Sequence, residues 1–147
     1  MAAVRRAEVT WEGDLAHGSG KVSAASSGAF RDLAVTWASR TERSGGKTSP
    51  EELIAAAHAS CFAMALSYGL GNGGNPPERL SVSAEVTFDQ VEGGFKVVSS
   101  ALTVRGRVPG LDAEGFRKAA EGAKENCPVS QALKGNVELS VAATLES

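Results

Sequence analysis

The chain has little sulfur and no concentration of charge. Only two cysteines, Cys61 and Cys127, occur in 147 residues. Two thiols are far too few for a disulfide-stapled secreted scaffold. A chain of this length can bury a core without staples. The net charge is −2, and the basic residues form no long run; Arg5-Arg6 and Arg105-Gly-Arg107 are isolated pairs. The electrostatic footprint that nucleic-acid binding needs is therefore missing. Met1–Glu8 lacks the apolar run of a secretory signal. The expected location is the cytoplasm, where a persistent structural disulfide is disfavoured and a transient catalytic one is allowed. One apolar stretch, Leu53–Leu70, approaches spanning length, but much of it is alanine and it carries His58, Ser60, Ser67 and Tyr68. Alanine contributes little to insertion, so the expectation is a core helix and not a membrane span. No Cys-x-x-Cys or second histidine cluster suggests a metal. The glycines at 69–74 follow a helix and not a strand, so they read as a turn and not a phosphate loop.

What is present is a clear alternation of elements. Residues 4–12 and 19–25 read as strands punctuated by Gly13, Gly18 and Gly20. Residues 33–40 alternate well enough for a third strand, and the polar run 42–48 is a loop. Ser49, Pro50 and Glu52 form the clearest helix start, a Ser-x-x-Glu capping box with proline at the first position. That helix should run to about Leu70 and be buried on most faces, because its residues are apolar or small nearly all round. Residues 80–88 alternate strictly, Glu92-Gly-Gly94 is a hairpin turn, and 95–108 is the return strand. A helix over 112–124 has Asp112 as its cap. A short helix runs from about Cys127 to Lys134, closed by Gly135, and 137–145 is the last strand. The order βββ-α-ββ-αα-β predicts an α+β fold with mainly antiparallel strands, in one domain over 1–147.

Cys61 lies in mid-helix, where the helix N-terminus gives no help, so a low pKa needs another cation. A buried structural thiol is the other reading. Ile54, His58, Cys61 and Ala65 share its helix face. Glu51 is roughly 80° off that stripe. Cys127 stands at the start of a helix, where free amides and the dipole favour a thiolate. Arg40, at the end of the third strand, is either a solvated side chain or a guanidinium gripped by Glu51 at a thiolate pocket. His58, Cys61 and Cys127 could make three metal ligands, with nothing else in the pattern supporting it. His17 reads as a loop residue.

The segments Trp11-Glu-Gly-Asp-Leu15, Ser49–Leu66 and Cys127-Pro-Val-Ser-Gln-Ala-Leu-Lys134 closely resemble the OsmC/Ohr family. This is the family of osmotically inducible protein C and the organic hydroperoxide resistance proteins. The similarity runs along essentially the whole chain. Trp-Glu-Gly-Asp, His-Ala-Ser-Cys and Pro-Val-Ser-Gln point to the OsmC branch.

The resemblance implies a cysteine-based peroxidase for oxidative or osmotic stress. It would be an intertwined homodimer, with two sheets flanking central helices and active sites shared at the subunit interface. By motif position Cys61 would be the peroxidatic thiolate and Cys127 the resolving thiol. Glu51 matches the acidic partner, and Arg40 stands where the OsmC branch carries its catalytic arginine, with Arg43 a lesser candidate. Organic hydroperoxides would be the substrate and a dithiol of lipoyl type the reductant, thioredoxin-type donors remaining open. No metal, haem or flavin is implied. The contrasting reading is an OsmC-like ligand-binding or stress protein with incidental thiol reactivity.

Overall fold

A computed structural model of the chain describes residues 1–146. The elements are β1 (Glu8–Glu12), β2 (Ser19–Ser23), β3 (Leu33–Val35), α1 (Trp37–Thr41), α2 (Pro50–Asn72), β4 (Arg79–Val91), β5 (Gly94–Arg107), α3 (Ala113–Asn126), α4 (Pro128–Leu133) and β6 (Glu138–Leu145). They make two three-stranded sheets, ordered β1-β2-β3 and β4-β5-β6. The α+β class read from the sequence stands. By internal contacts the chain divides into two compact units, one of Met1–Leu53 and one from Ile54 onward.

In the first unit β1 pairs antiparallel with β2, and β2 with β3. The third strand is shorter than the alternation over 33–40 predicts, because the chain turns helical at Trp37. The cause is local. Thr36 Oγ1 accepts from the Ser39 amide at 3.0 Å, and the Thr36 amide donates to Ser39 Oγ at 2.9 Å. This reciprocal cap satisfies two amide donors and starts a helix where β pairing would have continued. Arg40 therefore sits in the last turn of α1, not at a strand end. Ser39 Oγ also donates to the Thr48 carbonyl at 2.9 Å, tying α1 to the segment before α2. The Ser49 half of the expected capping box forms, with Glu52 N donating to Ser49 Oγ at 3.1 Å. The Glu52 carboxylate instead accepts from the Thr48 hydroxyl at 2.7 Å.

In the second unit β4 and β5 form the expected hairpin. Val91 pairs with Gly94, which leaves Glu92-Gly93 as the turn, and Gly93 takes a left-handed φ of 91°, which favours glycine at the second central position. β5 pairs in parallel with β6. Parallel strands need a long crossover, and α3 and α4 provide it. Asp112 caps α3 as expected, accepting from Gly115 N at 2.8 Å. Cys127 is the hinge residue, at once the C-cap of α3 and the N-cap of α4.

The core of this unit joins Phe62, Leu66 and Leu70 of α2 to Leu102 and Val104 of β5 and to Phe116, Ala120 and Ala123 of α3. α2 is not buried on most faces, as its composition suggests. His58, Phe62, Leu66 and Leu70, four residues apart, form one buried stripe. Ala56, Ala57, Met64 and Tyr68 are exposed, the last two at 71% and 73%. By length and composition alone α2 is long and apolar enough to cross a membrane.

Gly106 of β5 lies against the ring of Phe116, and a Cβ there would come within 2.6 Å of Phe116 Cε1. Phe116 is fully buried, so its ring has no room to withdraw. Gly106→Ala should destabilise the protein by about 1–3 kcal/mol, read from the urea midpoint. A loss below about 0.5 kcal/mol, the scale of an ordinary surface change, would show that the contact yields.

Candidate active site

Two groups of chemistry-bearing side chains form, one in each unit. In the first, α1 and the start of α2 bring Arg40 and Glu51 together. Arg40 Nε donates to Glu51 Oε1 at 3.0 Å, and Nη2 donates to Oε2 at 2.9 Å. This is the bidentate fork of guanidinium on carboxylate. Glu51 is buried, while the Arg40 side chain keeps 30% of its surface. The carboxylate is thus committed to the arginine, whose side chain stays partly exposed. Trp37 packs beside it, with the guanidinium carbon 6.0 Å from the ring centroid. An apolar groove of about 340 Å³ opens next to Arg40, lined by Val9, Trp11, Leu15, Val35 and Leu53. Arg43 lies in the exposed segment just after α1.

In the second unit α2 and the α3–α4 junction bring Cys61 and Cys127 together. Both are free thiols; Cys61 is half-buried and Cys127 fully buried. The Cys61 thiol lies close enough to the Cys127 thiol and to the backbone of Val129, in the first turn of α4, for both to act on its pKa. Burial is the largest influence on Cys61 and pushes its pKa up, and the Cys127 thiol adds to this; the Val129 amide works the other way. The sequence assigned the amides of this helix start to Cys127. The Val129 amide serves Cys61 instead, because Cys127 is the cap residue and α4 runs on past the neighbouring thiol.

Cys61 also forms part of the wall of a cavity of about 750 Å³, lined with Met64, Ala65, Tyr68, Ala123 and Pro128 among others. The lining is mostly apolar. Ala65, on the Cys61 face of the helix, lines this cavity, whereas Phe62 is fully buried in the core.

His58 was legible only as a possible ligand. Its ring is completely buried. Nδ1 is hydrogen-bonded to Ser100 Oγ at 2.6 Å and Nε2 to Ser130 Oγ at 2.8 Å. Both ring nitrogens are thus taken by hydroxyls, which leaves neither for a metal. Ser100 and Ser130 were missed. They lie 42 and 72 positions from His58, and only the proximity of Ser130 to Cys127 in sequence could have drawn notice. His17, as expected, lies in a turn, its amide donating to Asp14 Oδ1 at 2.7 Å.

Several known proteins resemble this chain in sequence and in fold. The family model described as OsmC-like protein matches residues 43–142. Peroxiredoxin OsmC of Escherichia coli is 42% identical over 139 residues, which is 95% of this chain and 96% of that protein. The organic hydroperoxide resistance protein of Xanthomonas axonopodis is 32% identical over 98 residues, 66% of this chain and 67% of that protein. Among solved structures, the organic hydroperoxide resistance protein OhrB of Bacillus subtilis superposes with a TM-score of 0.73 at 28% identity, over 96% of this chain and 98% of that one.

Burial holds the His58 pKa below its ordinary value of 6.5. The unfolded chain therefore takes up this proton first as the pH falls. Stability is fully present above 6.5, declines as the pH drops below it, and levels off once the folded-state pKa is passed. His58→Gln should remove that part of the decline. Urea midpoints of both proteins on either side of 6.5 measure it, and identical slopes would show that His58 does not titrate differently on folding.

Proposed function

The chain belongs to the OsmC-like protein family, and we propose that it is a thiol-dependent hydroperoxide reductase in which Cys61 and Cys127 form the redox pair and the whole chain acts as one OsmC-like domain. The observation that carries this reading is the contact of two reduced thiols, one of them forming part of the wall of an apolar cavity. A structural thiol needs neither the second sulfur nor the opening.

The chemistry balances without a cofactor. The Cys61 thiolate attacks the distal oxygen of the hydroperoxide, the O–O bond breaks, and the alkoxide leaves and takes a proton to become the alcohol. Cys61 is left as a sulfenic acid. The Cys127 thiol attacks that sulfur and expels water, forming the disulfide. A dithiol reductant, of lipoyl type on the family resemblance, reopens it by exchange and leaves oxidised itself.

Burial raises the Cys61 pKa and the Val129 amide offsets only part of it, so the thiolate requires a cation. Arg40 is the candidate, since Glu51 fixes its fork and part of it stays exposed. It would stabilise the thiolate and polarise the peroxide. The chain would work as a homodimer. A second α2 packed against the exposed Ala56, Ala57, Met64 and Tyr68 would cover the apolar face that one chain leaves open, in the commonest closed symmetry. Arg40 of one subunit would then serve Cys61 of the other. The apolar cavity favours organic hydroperoxides, because an alkyl or aryl substituent gains about 0.8 kcal/mol per buried methylene and hydrogen peroxide has none. The names of the relatives, a peroxiredoxin and an organic hydroperoxide resistance protein, point the same way. The cytoplasm is the fitting compartment for a cycle fed by dithiols.

A steady-state assay with hydrogen peroxide, tert-butyl and cumene hydroperoxides and a dithiol donor is the direct test. Sustained turnover with kcat/KM highest for the organic substrates is expected. Consumption of one peroxide per thiol pair and then arrest, with dithiol still present, would mark a binding protein with incidental reactivity. Cys61→Ser should abolish consumption. Cys127→Ser should react once and stop with Cys61 oxidised, as intact-protein mass spectrometry would show. Sulfenic acid on Cys127 in the Cys61→Ser protein would reverse the assignment.

Arg40→Ala should lower kcat/KM by roughly 10² or more. Arg40→Lys should not restore it, since an ammonium cannot be held in bidentate fashion. A purified heterodimer of Arg40→Ala and Cys61→Ser subunits should regain one intact site if the site is shared. Full activity of Arg40→Ala, or loss in Arg43→Ala instead, would transfer the role to the other arginine.

A further inference from the structure

His58 lies one helical turn before Cys61, is wholly buried, and takes no part in the chemistry above. Its surroundings are specific. One ring nitrogen reaches Ser130 of α4 and the other reaches Ser100 of β5, and all three side chains are at most 1% exposed. A neutral imidazole has one N–H donor and one bare acceptor. It can therefore join two hydroxyls on opposite sides, one donating to the ring and one accepting from it, and leave nothing buried unpaired. Among the described residues no buried side-chain polar atom lacks a partner.

The tie matters because of what Ser130 is next to. α4 is only six residues long. It begins directly after Cys127, and Ser130 follows Val129, whose backbone is near enough to Cys61 to favour its charged form. Anchoring Ser130 to α2 through His58 thus fixes both the resolving thiol and the amide donor against Cys61. So short a helix has little stability of its own, and only Val129 of its apolar side chains packs partly buried against the core.

We propose that His58 is a positioning residue: through Nε2 and Ser130 it clamps the start of α4 to α2, setting the distance between Cys61 and Cys127 and aiming the Val129 amide at Cys61. The bond to Ser100 orients the ring and is secondary. This deepens the reading of the two cysteines as a redox pair and rests on it.

Asparagine and glutamine separate the two ends of the ring. An asparagine amide occupies the place of Nδ1, and a glutamine amide the place of Nε2. His58→Gln keeps the tie to Ser130; His58→Asn keeps only that to Ser100. Two thiol readouts follow, neither of which needs a hydroperoxide. One is the effective concentration of the two thiols, from equilibrium with glutathione: protein dithiol plus oxidised glutathione gives protein disulfide plus two reduced glutathiones. The other is the Cys61 pKa, from iodoacetamide alkylation rates against pH. Losing one buried hydrogen bond should lower the effective concentration by about tenfold in His58→Asn and in Ser130→Ala. Both should also raise the Cys61 pKa. His58→Gln should stay near wild type, and Ser100→Ala should show the smaller effect of the two serine changes. Thermal midpoints recorded alongside separate general loosening from positioning.

Equal changes in His58→Asn and His58→Gln, or in Ser130→Ala and Ser100→Ala, would overturn the proposal. So would a Ser130→Ala protein with wild-type thiol readouts. If a histidine variant does not fold, the serine pair gives the same contrast. Absence of peroxide turnover would defeat the peroxidase reading while leaving these thiol measurements intact, and the reverse also holds.

Discussion

The packing of α2 through His58, Phe62, Leu66 and Leu70 is the constraint on which the second unit depends. Four residues at a spacing of four place one straight edge of the helix into the core, against β5 and α3. Once that edge is inside, the rest of the helix surface has a fixed direction. Cys61 and Ala65, just beside the stripe, are left half-buried at the wall of the cavity. Met64 and Tyr68 are turned outward. The same stripe carries the one polar side chain of its row, and the core accepts it only because Ser100 and Ser130 satisfy it. Packing and chemistry are thus set by a single rotation of one helix.

Within this frame the thiol pair is held under opposing influences. Burial and a neighbouring sulfur disfavour charge on Cys61, while a backbone amide favours it. A thiol so placed gives up its proton less readily than an ordinary cysteine, and a nearby cation would oppose this. The Arg40–Glu51 fork is rigid for a corresponding reason: the carboxylate is buried and accepts from two positions of the guanidinium. A guanidinium held in that way loses little entropy on meeting an anion, because its orientation is already fixed.

The parts of this architecture legible in the sequence are those decided locally. Ser49 and Pro50 marked the start of α2, Asp112 capped α3, and Glu92-Gly93 made the hairpin turn; in each case a few adjacent residues satisfy one another. The partnership of Arg40 with Glu51 was one of two readings of the residues, favoured by the family resemblance, and its helical setting was not foreseen. Thr36 and Ser39 cap a helix with serine where a capping box usually has glutamate, and the alternating pattern around them reads equally as a strand. His58, Ser100 and Ser130 were out of reach because their contact is made by tertiary folding across long separations. The open face of α2 was hidden by its composition. Alanine and methionine look the same to a pattern whether another layer covers them or water does.

The complete burial of Cys127 beside a half-exposed Cys61 has a consequence for regiochemistry. Thiol–disulfide exchange needs an incoming thiolate in line with the bond it breaks, so access decides which sulfur is attacked. In a disulfide between these two residues only the Cys61 sulfur faces an opening. The mixed disulfide with an external dithiol would therefore form on Cys61, and Cys127 would depart as the leaving group into the interior. On the proposed cycle the direction of electron entry would then be a property of the packing, with one sulfur meeting oxidant and reductant in turn.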